Sequence, residues 1–132
     1  MRSVHRTGGF EDVAGYSRAV RSGDLISVSG TAATGEDGQA LFPGDVKAQT
    51  AEAFKRGVEA VEALGGAVGD VVRTRIYLTP DTNWRASVEA HHELFADVTP
   101  ANTTLFVAGF IPPGVLVEVE IDAVVSTDAA SS

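Results

Sequence analysis

The chain has 132 residues, none of them cysteine, and sets 18 acidic side chains against 10 Lys and Arg for a formal net charge of −8. That length suits one domain, residues 1–132, able to bury roughly two-thirds of its unfolded surface without a disulfide, and the missing cysteines exclude thiol nucleophiles and thiolate ligands. The negative charge, with Arg85 as the last Arg or Lys, argues against a nucleic-acid partner; no run of about 18 apolar residues and no signal-peptide core is found, so no membrane partner and a cytoplasmic location are expected.

In chain order, Gly15–Val20 and Leu25–Ser29 read as two strands joined by the turn Arg21-Ser22-Gly23-Asp24. Residues 30–44, rich in Gly, Thr and Asp, read as a loop. Asp45 then suits a helix N-cap: Phe54, Val58, Val61 and Leu64 recur at spacings of four, three and three, which makes one apolar face, and Gly65-Gly66 supplies the stop.

Val71–Leu78 is β-branched and aromatic, and alternation sets Arg73, Arg75 and Tyr77 opposite Val72, Thr74, Ile76 and Leu78. Thr79-Pro80-Asp81-Thr82 opens a second helix with Trp84, Val88, His91 and Phe95 on one side. Thr103–Val107 and Val115–Val125 are the last strands, separated by a loop that contains Pro112-Pro113. The expected fold class is α+β, in the order β-β-β-α-β-α-β-β, with two helices on one face of a mixed sheet. The core spans about residues 15–126, and residues 127–132 read as a disordered tail.

The stretch Leu116–Asp122, LVEVEID, carries the chemistry. In a strand Glu118, Glu120 and Asp122 share one face, roughly 7 Å apart, while Val117, Val119 and Ile121 fill the other. The plain reading is a solvated face, although a row of like charges on a strand needs something nearby to compensate it. Neighbours on one strand do not straddle a glycosidic bond. A metal site lacks support, since His91 and His92 are consecutive and point about 100° apart on a helix, and no cofactor motif is present. His91 on the buried side reads as a hydrogen-bonded packing residue rather than a proton shuttle. The sequon Asn102-Thr103-Thr104, without a secretory signal, is accidental.

Three stretches together resemble the YjgF/RidA family of enamine/imine deaminases, from about Gly15 to Val125. Gly15-Tyr16-Ser17-Arg18-Ala19-Val20 with Leu25–Gly30 is similar to G-P-Y-S-x-A-V and V-x-V-S-G. Gly69–Thr79 is similar to D-V-V-K-T-x-V-F-L-T, and Pro100–Thr104 with Val117–Glu120 to P-A-R-S-x and V-E-I-E. The resemblance implies a chorismate-mutase-like fold that assembles as a homotrimer, its partner being itself, with a small-molecule ligand in clefts between subunits.

By position, the resemblance makes Glu118 the residue that orients or activates water. Tyr16, Ser29, Gly30, Trp84, Asn102 and Thr104 become ligand contacts. The family's carboxylate-gripping Arg is here Asn102, so with Asn102 beside Glu118 a carboxylate substrate meets net negative charge, and 2-imino acid deamination is expected to be weak. Arg75, Arg73 or Arg18 is the candidate substitute cation, against a structural role for each as an ion-pair partner of the acidic row. The expected function is binding of a small molecule, with hydrolysis or isomerisation of an imine, enamine or carbonyl compound. The alternative is a non-catalytic ligand-sensing or chaperone-like trimer.

Overall fold

A computed structural model describes residues 1–126, so the expected tail at 127–132 lies outside the described residues. Six strands form one mixed sheet in the order β1-β2-β3-β6-β4-β5. They are β1 (Arg2–His5), β2 (Ala19–Ser22), β3 (Leu25–Thr31), β4 (Val71–Leu78), β5 (Ala101–Phe106) and β6 (Val117–Val124). Neighbours are antiparallel except β4 and β5, a parallel pair that needs a crossover between them. Helix α3 (Trp84–Phe95) supplies it, and α2 (Val46–Ala63) lies beside α3 on the same face.

The strand and helix order agrees with expectation, with β1 lying ahead of the expected core of about 15–126, and two elements are added: a 3-10 turn at Val68–Asp70 and α1 (Phe10–Ala14), five residues closed by Gly15 in the left-handed conformation at φ 80°. So short a helix cannot display an apolar period, which is why the sequence does not announce it. The expected strand at Gly15–Val20 accordingly starts later, at Ala19, because residues 15–18 leave α1 and are held by side-chain bonds. The turn tightens to Gly23-Asp24, with Ser22 paired to Leu25.

Helix α2 forms as its signals dictate. Asp45 accepts from the Ala48 amide at 3.0 Å, and Gly65 follows the helix at φ 92°. Phe54 and Val61 are buried against the sheet, with Val58 and Leu64 packed at the margin. For α3 the N-cap is Asn83 rather than the Thr79–Thr82 turn, its side chain accepting from Ala86. The face is also rotated from the expected one. Ser87, Ala90 and Phe95 are its buried residues, while Trp84 is 43% exposed beneath the Arg85 guanidinium.

Strict alternation holds on β6, where Val117, Val119, Ile121 and Ala123 are fully buried under the helices and the three acids face the other way. It fails at two points. Val71 pairs with Ala123 and Arg73 with Asp122, which leaves Val72 as an extra residue; Val71 enters the core and Val72 is 48% exposed. On β3, Val28 pairs with Ile121 and Thr31 with Val119, so Ser29 and Gly30 together oppose the single residue Glu120. Both are β-bulges, which re-aim the side chains next to them.

Gln49 of α2 is fully buried and makes three bonds: its amide donates to the carbonyls of Phe42 and Gly114, and its oxygen accepts from the Leu116 amide. It fastens both loops to the helix, including the Pro112-Pro113 loop that reaches the site. Among the described residues no helix is long and apolar enough to cross a membrane.

Candidate functional site

A cleft of about 900 Å³ opens between residues 5–18, the bulged end of β3, the 111–113 loop and Arg56 and Glu59 of α2, with Glu118 of the acidic face in its wall. Tyr16, Arg18, Gly30 and Glu118 all line it. The β3 bulge explains the meeting of two of them. A Cβ on Gly30 would stand 2.8 Å from Glu118 Oε1, so that carboxylate lies directly on the glycine.

The three acids of β6 have different surroundings. Asp122 accepts from Ser27 Oγ at 2.9 Å and from Arg75 Nη1 at 3.0 Å. Glu120 accepts from Tyr77 Oη at 2.7 Å, with Arg75 Nη1 at 3.8 Å. Glu118 makes no hydrogen bond or ion pair among the described residues, though Arg18 is near enough to act on its charge. Burial pushes its carboxyl above the ordinary value, Arg18 pulls it back, and Glu120 adds to the rise. Glu118 is therefore the acid with uncommitted lone pairs and a raised affinity for a proton.

Arg18 answers which cation faces Glu118. Its Nη2 donates to the Gly30 carbonyl at 2.7 Å, its guanidinium lies 5.7 Å from the Tyr16 ring centroid, and its Nε is buried without a partner among the described residues. Arg75 is committed to Asp122 and Glu120, which raises its own pKa through the Asp122 bond first. Arg73 donates to Thr103 Oγ1 at 2.6 Å. Neither Arg73 nor Arg75 lines the cleft.

Sequence reasoning missed Glu11. It is 2% exposed and accepts from the Thr7 amide and the Arg18 amide, each at 3.1 Å, and from the Thr7 hydroxyl. Burial alone would raise its pKa, but the Thr7 hydroxyl and amide together with the Arg18 charge and amide outweigh it and hold the carboxyl below its ordinary value. Glu11 thus ties the loop before α1 to the loop after it and fixes the backbone that carries Arg18. Glu11 and its neighbour Asp12, between Gly9 and Gly15, both look like solvated acids in sequence, so no signal singled out Glu11.

The other expected contacts lie elsewhere. Ser29 spends its hydroxyl on the Ser17 carbonyl at 2.7 Å, bracing the strand that carries Gly30. Trp84 is not among the cleft-lining residues. Asn102 and Thr104 sit on β5, in register with Thr74 and Ile76 of the core-facing set, whereas Glu118 is in register with Tyr77 on the opposite face. Within one chain Asn102 is therefore not beside Glu118. Its amide donates to Thr74 Oγ1 at 3.1 Å. Among the described residues no three His, Asp or Glu side chains are gathered in a way that could hold a metal ion.

A six-stranded mixed sheet backed by two long helices, with an acid-and-arginine cleft on its open side, defines the class, and comparison places the chain within it. The family model described as Endoribonuclease L-PSP matches residues 9–125. The chain is 40% identical over 124 residues to an uncharacterized protein of Streptomyces coelicolor, covering 93% of this chain and 91% of the relative. Among solved structures it is similar to Rv2704 from Mycobacterium tuberculosis, described as a member of the YjgF/YER057c/UK114 family, with TM-score 0.84 and 40% identity over 95% of this chain and 100% of that one. The Escherichia coli YjgF structure matches with TM-score 0.72 and 28% identity, covering 83% and 87% of the two chains. The chain belongs to the Endoribonuclease L-PSP family, also called YjgF/RidA.

Proposed function

We propose that this protein is a RidA-like homotrimer that binds a small imine or enamine and hydrolyses its C=N bond, with Glu118 as the base that activates water. One observation carries the reading: of three acids on one strand face, Glu118 alone has no partner among the described residues, and it is also the one lining the cleft, with its proton affinity raised. A base works best when its pKa approaches the working pH, and burial moves Glu118 in that direction. Water oxygen attacks the imine carbon as Glu118 takes one water proton and returns it to nitrogen, giving a carbinolamine; the second proton then passes from the carbinolamine hydroxyl to nitrogen as the C–N bond breaks, releasing ammonia and leaving the carbonyl.

Charge limits the substrate. Arg18 is the cation that acts on Glu118, and one of its nitrogens is already spent on the Gly30 carbonyl; Arg56, which also lines the cleft, is paired with Glu52. Asn102 stands where the family has an arginine, and an amide does not reproduce a bidentate grip on carboxylate. A neutral or weakly acidic imine therefore fits better than a 2-imino acid, whose turnover is expected to be weak. The homotrimer is supported by the placement of Asn102 and Thr104 on the face opposite Glu118: a second copy is needed to bring both sets to one ligand.

The test is an oxidase assay in which imines are generated in situ, neutral ones by an amine oxidase and 2-imino acids by an amino-acid oxidase, and carbonyl release is followed. Glu118→Gln should lower the acceleration by about a hundredfold or more, the usual scale for losing a general base. Asn102→Arg should raise activity on 2-imino acids. Equal release by wild type and Glu118→Gln would sink the catalytic reading, and saturable ligand binding without turnover would favour a ligand sensor. The family description names an endoribonuclease, but a net charge of −8 repels a phosphate backbone. No RNA retention is expected at physiological salt.

A further inference from the structure

Four side chains form a hydrogen-bonded line that the proposed chemistry leaves unused. The Thr104 hydroxyl donates to Asn102 Oδ1 at 2.8 Å, Asn102 Nδ2 donates to Thr74 Oγ1 at 3.1 Å, and Thr74 Oγ1 lies 2.8 Å from His91 Nε2. One end is open at β5, where Asn102 is exposed and Thr104 half-buried. The other runs into the core. Thr74 is fully buried, and the imidazole is wedged between Phe95 at 4.7 Å and Phe54 at 5.3 Å between ring centroids.

Donor and acceptor counting gives this line two self-consistent polarities. With His91 neutral and its proton on Nδ1, Nε2 accepts the Thr74 proton, Thr74 accepts from the Asn102 amide N–H, and the Asn102 oxygen accepts from Thr104. The Thr104 proton is then used up, and its free lone pairs face outward. With His91 protonated, Nε2–H donates to Thr74, and the Thr74 proton, having lost the imidazole as acceptor, has Asn102 as its remaining partner in the line. The amide then presents oxygen to Thr74 and N–H to Thr104, and the Thr104 hydroxyl is released as a donor.

We propose that His91 is a positioning residue for ligand specificity: through Thr74 it sets the orientation of the Asn102 amide, and so decides whether Thr104 offers an acceptor or a donor to the ligand. In the neutral state Thr104 offers an acceptor, which selects a ligand presenting N–H, as an imine or enamine nitrogen does. This rests on the reading above that Asn102 and Thr104 face the ligand. The groups around His91 are Phe54 from α2, Thr74 from β4, and Phe95 and the neighbouring His92 from α3, the last being the charge that acts on it. Burial first, and then His92, move His91 below its ordinary pKa, so the neutral state holds at neutral pH.

The experiment is 15N NMR of the whole protein titrated from pH 8 to pH 5. It is run on wild type, Thr74→Val and His91→Gln, with a neutral imine generated by an amine oxidase as kinetic probe. At pH 8 His91 should carry its proton on Nδ1, and the Asn102 side-chain amide signals should shift with the midpoint of His91. In Thr74→Val His91 should still titrate while Asn102 stays put. KM for the imine should rise about three- to tenfold in wild type as His91 protonates, the worth of one hydrogen bond, and this part of the profile should flatten in both variants while kcat holds. Titration of Glu118 is common to all three proteins and does not blur the comparison. Asn102 signals that stay still while wild-type His91 titrates would overturn the proposal. Coupled signals with an unchanged KM profile would overturn the placement of Asn102 at the ligand and leave its orientation by His91 standing.

Discussion

Glu118 gains proton affinity from the same burial that makes it costly to the fold. Its pKa is higher folded than unfolded, so its contribution to stability is fullest below the unfolded value and falls as pH rises through the folded one. Glu118→Gln should therefore melt higher than wild type at pH 7, and the gap should close toward pH 4; thermal melts across that range check it. A second prediction concerns the glycine beneath. The Cβ of Gly30→Ala would meet Glu118 Oε1 at 2.8 Å, the end of a flexible side chain, so the carboxylate swings away at little cost to folding. Stability should change by less than about 1 kcal/mol while imine turnover falls, as urea unfolding and the oxidase assay would show. The sequence shows that these acids share a face and, through the family motif, that Glu118 is the one to watch. It does not show why, because the partners that neutralise Glu120 and Asp122 come from β3 and β4, 43 to 95 residues away.

Elements were legible where their signals are local. Asp45, the 54-58-61-64 stripe and Gly65 define α2 by adjacency alone, and alternation defines β6. What escaped depends on pairing. Each bulge is a mismatch of count between two strands, visible only once β6 is laid against β3 and β4. The seating of α2 on β6 is equally hidden: a Cβ on Gly57 would stand 2.7 Å from Ile121 Cδ1, and Ile121 is fully buried with nowhere to turn. Gly57→Ala gains up to about 1 kcal/mol of helix propensity and incurs about 1–3 kcal/mol of overpacking. Packing wins, and a net loss of about 1 kcal/mol should appear as a lower urea midpoint with an unchanged slope.

At the scale of the molecule, one sheet carries the two sets of candidate contact residues on opposite faces. Glu118, Arg18 and Gly30 open on the acidic face, while Asn102 and Thr104 share the side of Thr74 and Ile76 at the edge strand β5. No rearrangement short of refolding the sheet brings them together in one chain, since alternation along β5 and β6 fixes the face of each residue. If the ligand touches both sets, each cleft takes Glu118 from one copy and Asn102 from the next, and defects in the two sets must complement. Glu118→Gln and Asn102→Trp, the second plugging the cleft, should each be inactive alone. Unfolded together in equal amounts and refolded, they should recover about a quarter of wild-type activity, the fraction of clefts in a cyclic trimer that receive an intact residue from both sides. A site contained within one chain would recover nothing, whatever the mixing ratio, so the oxidase assay on the mixture separates the two architectures.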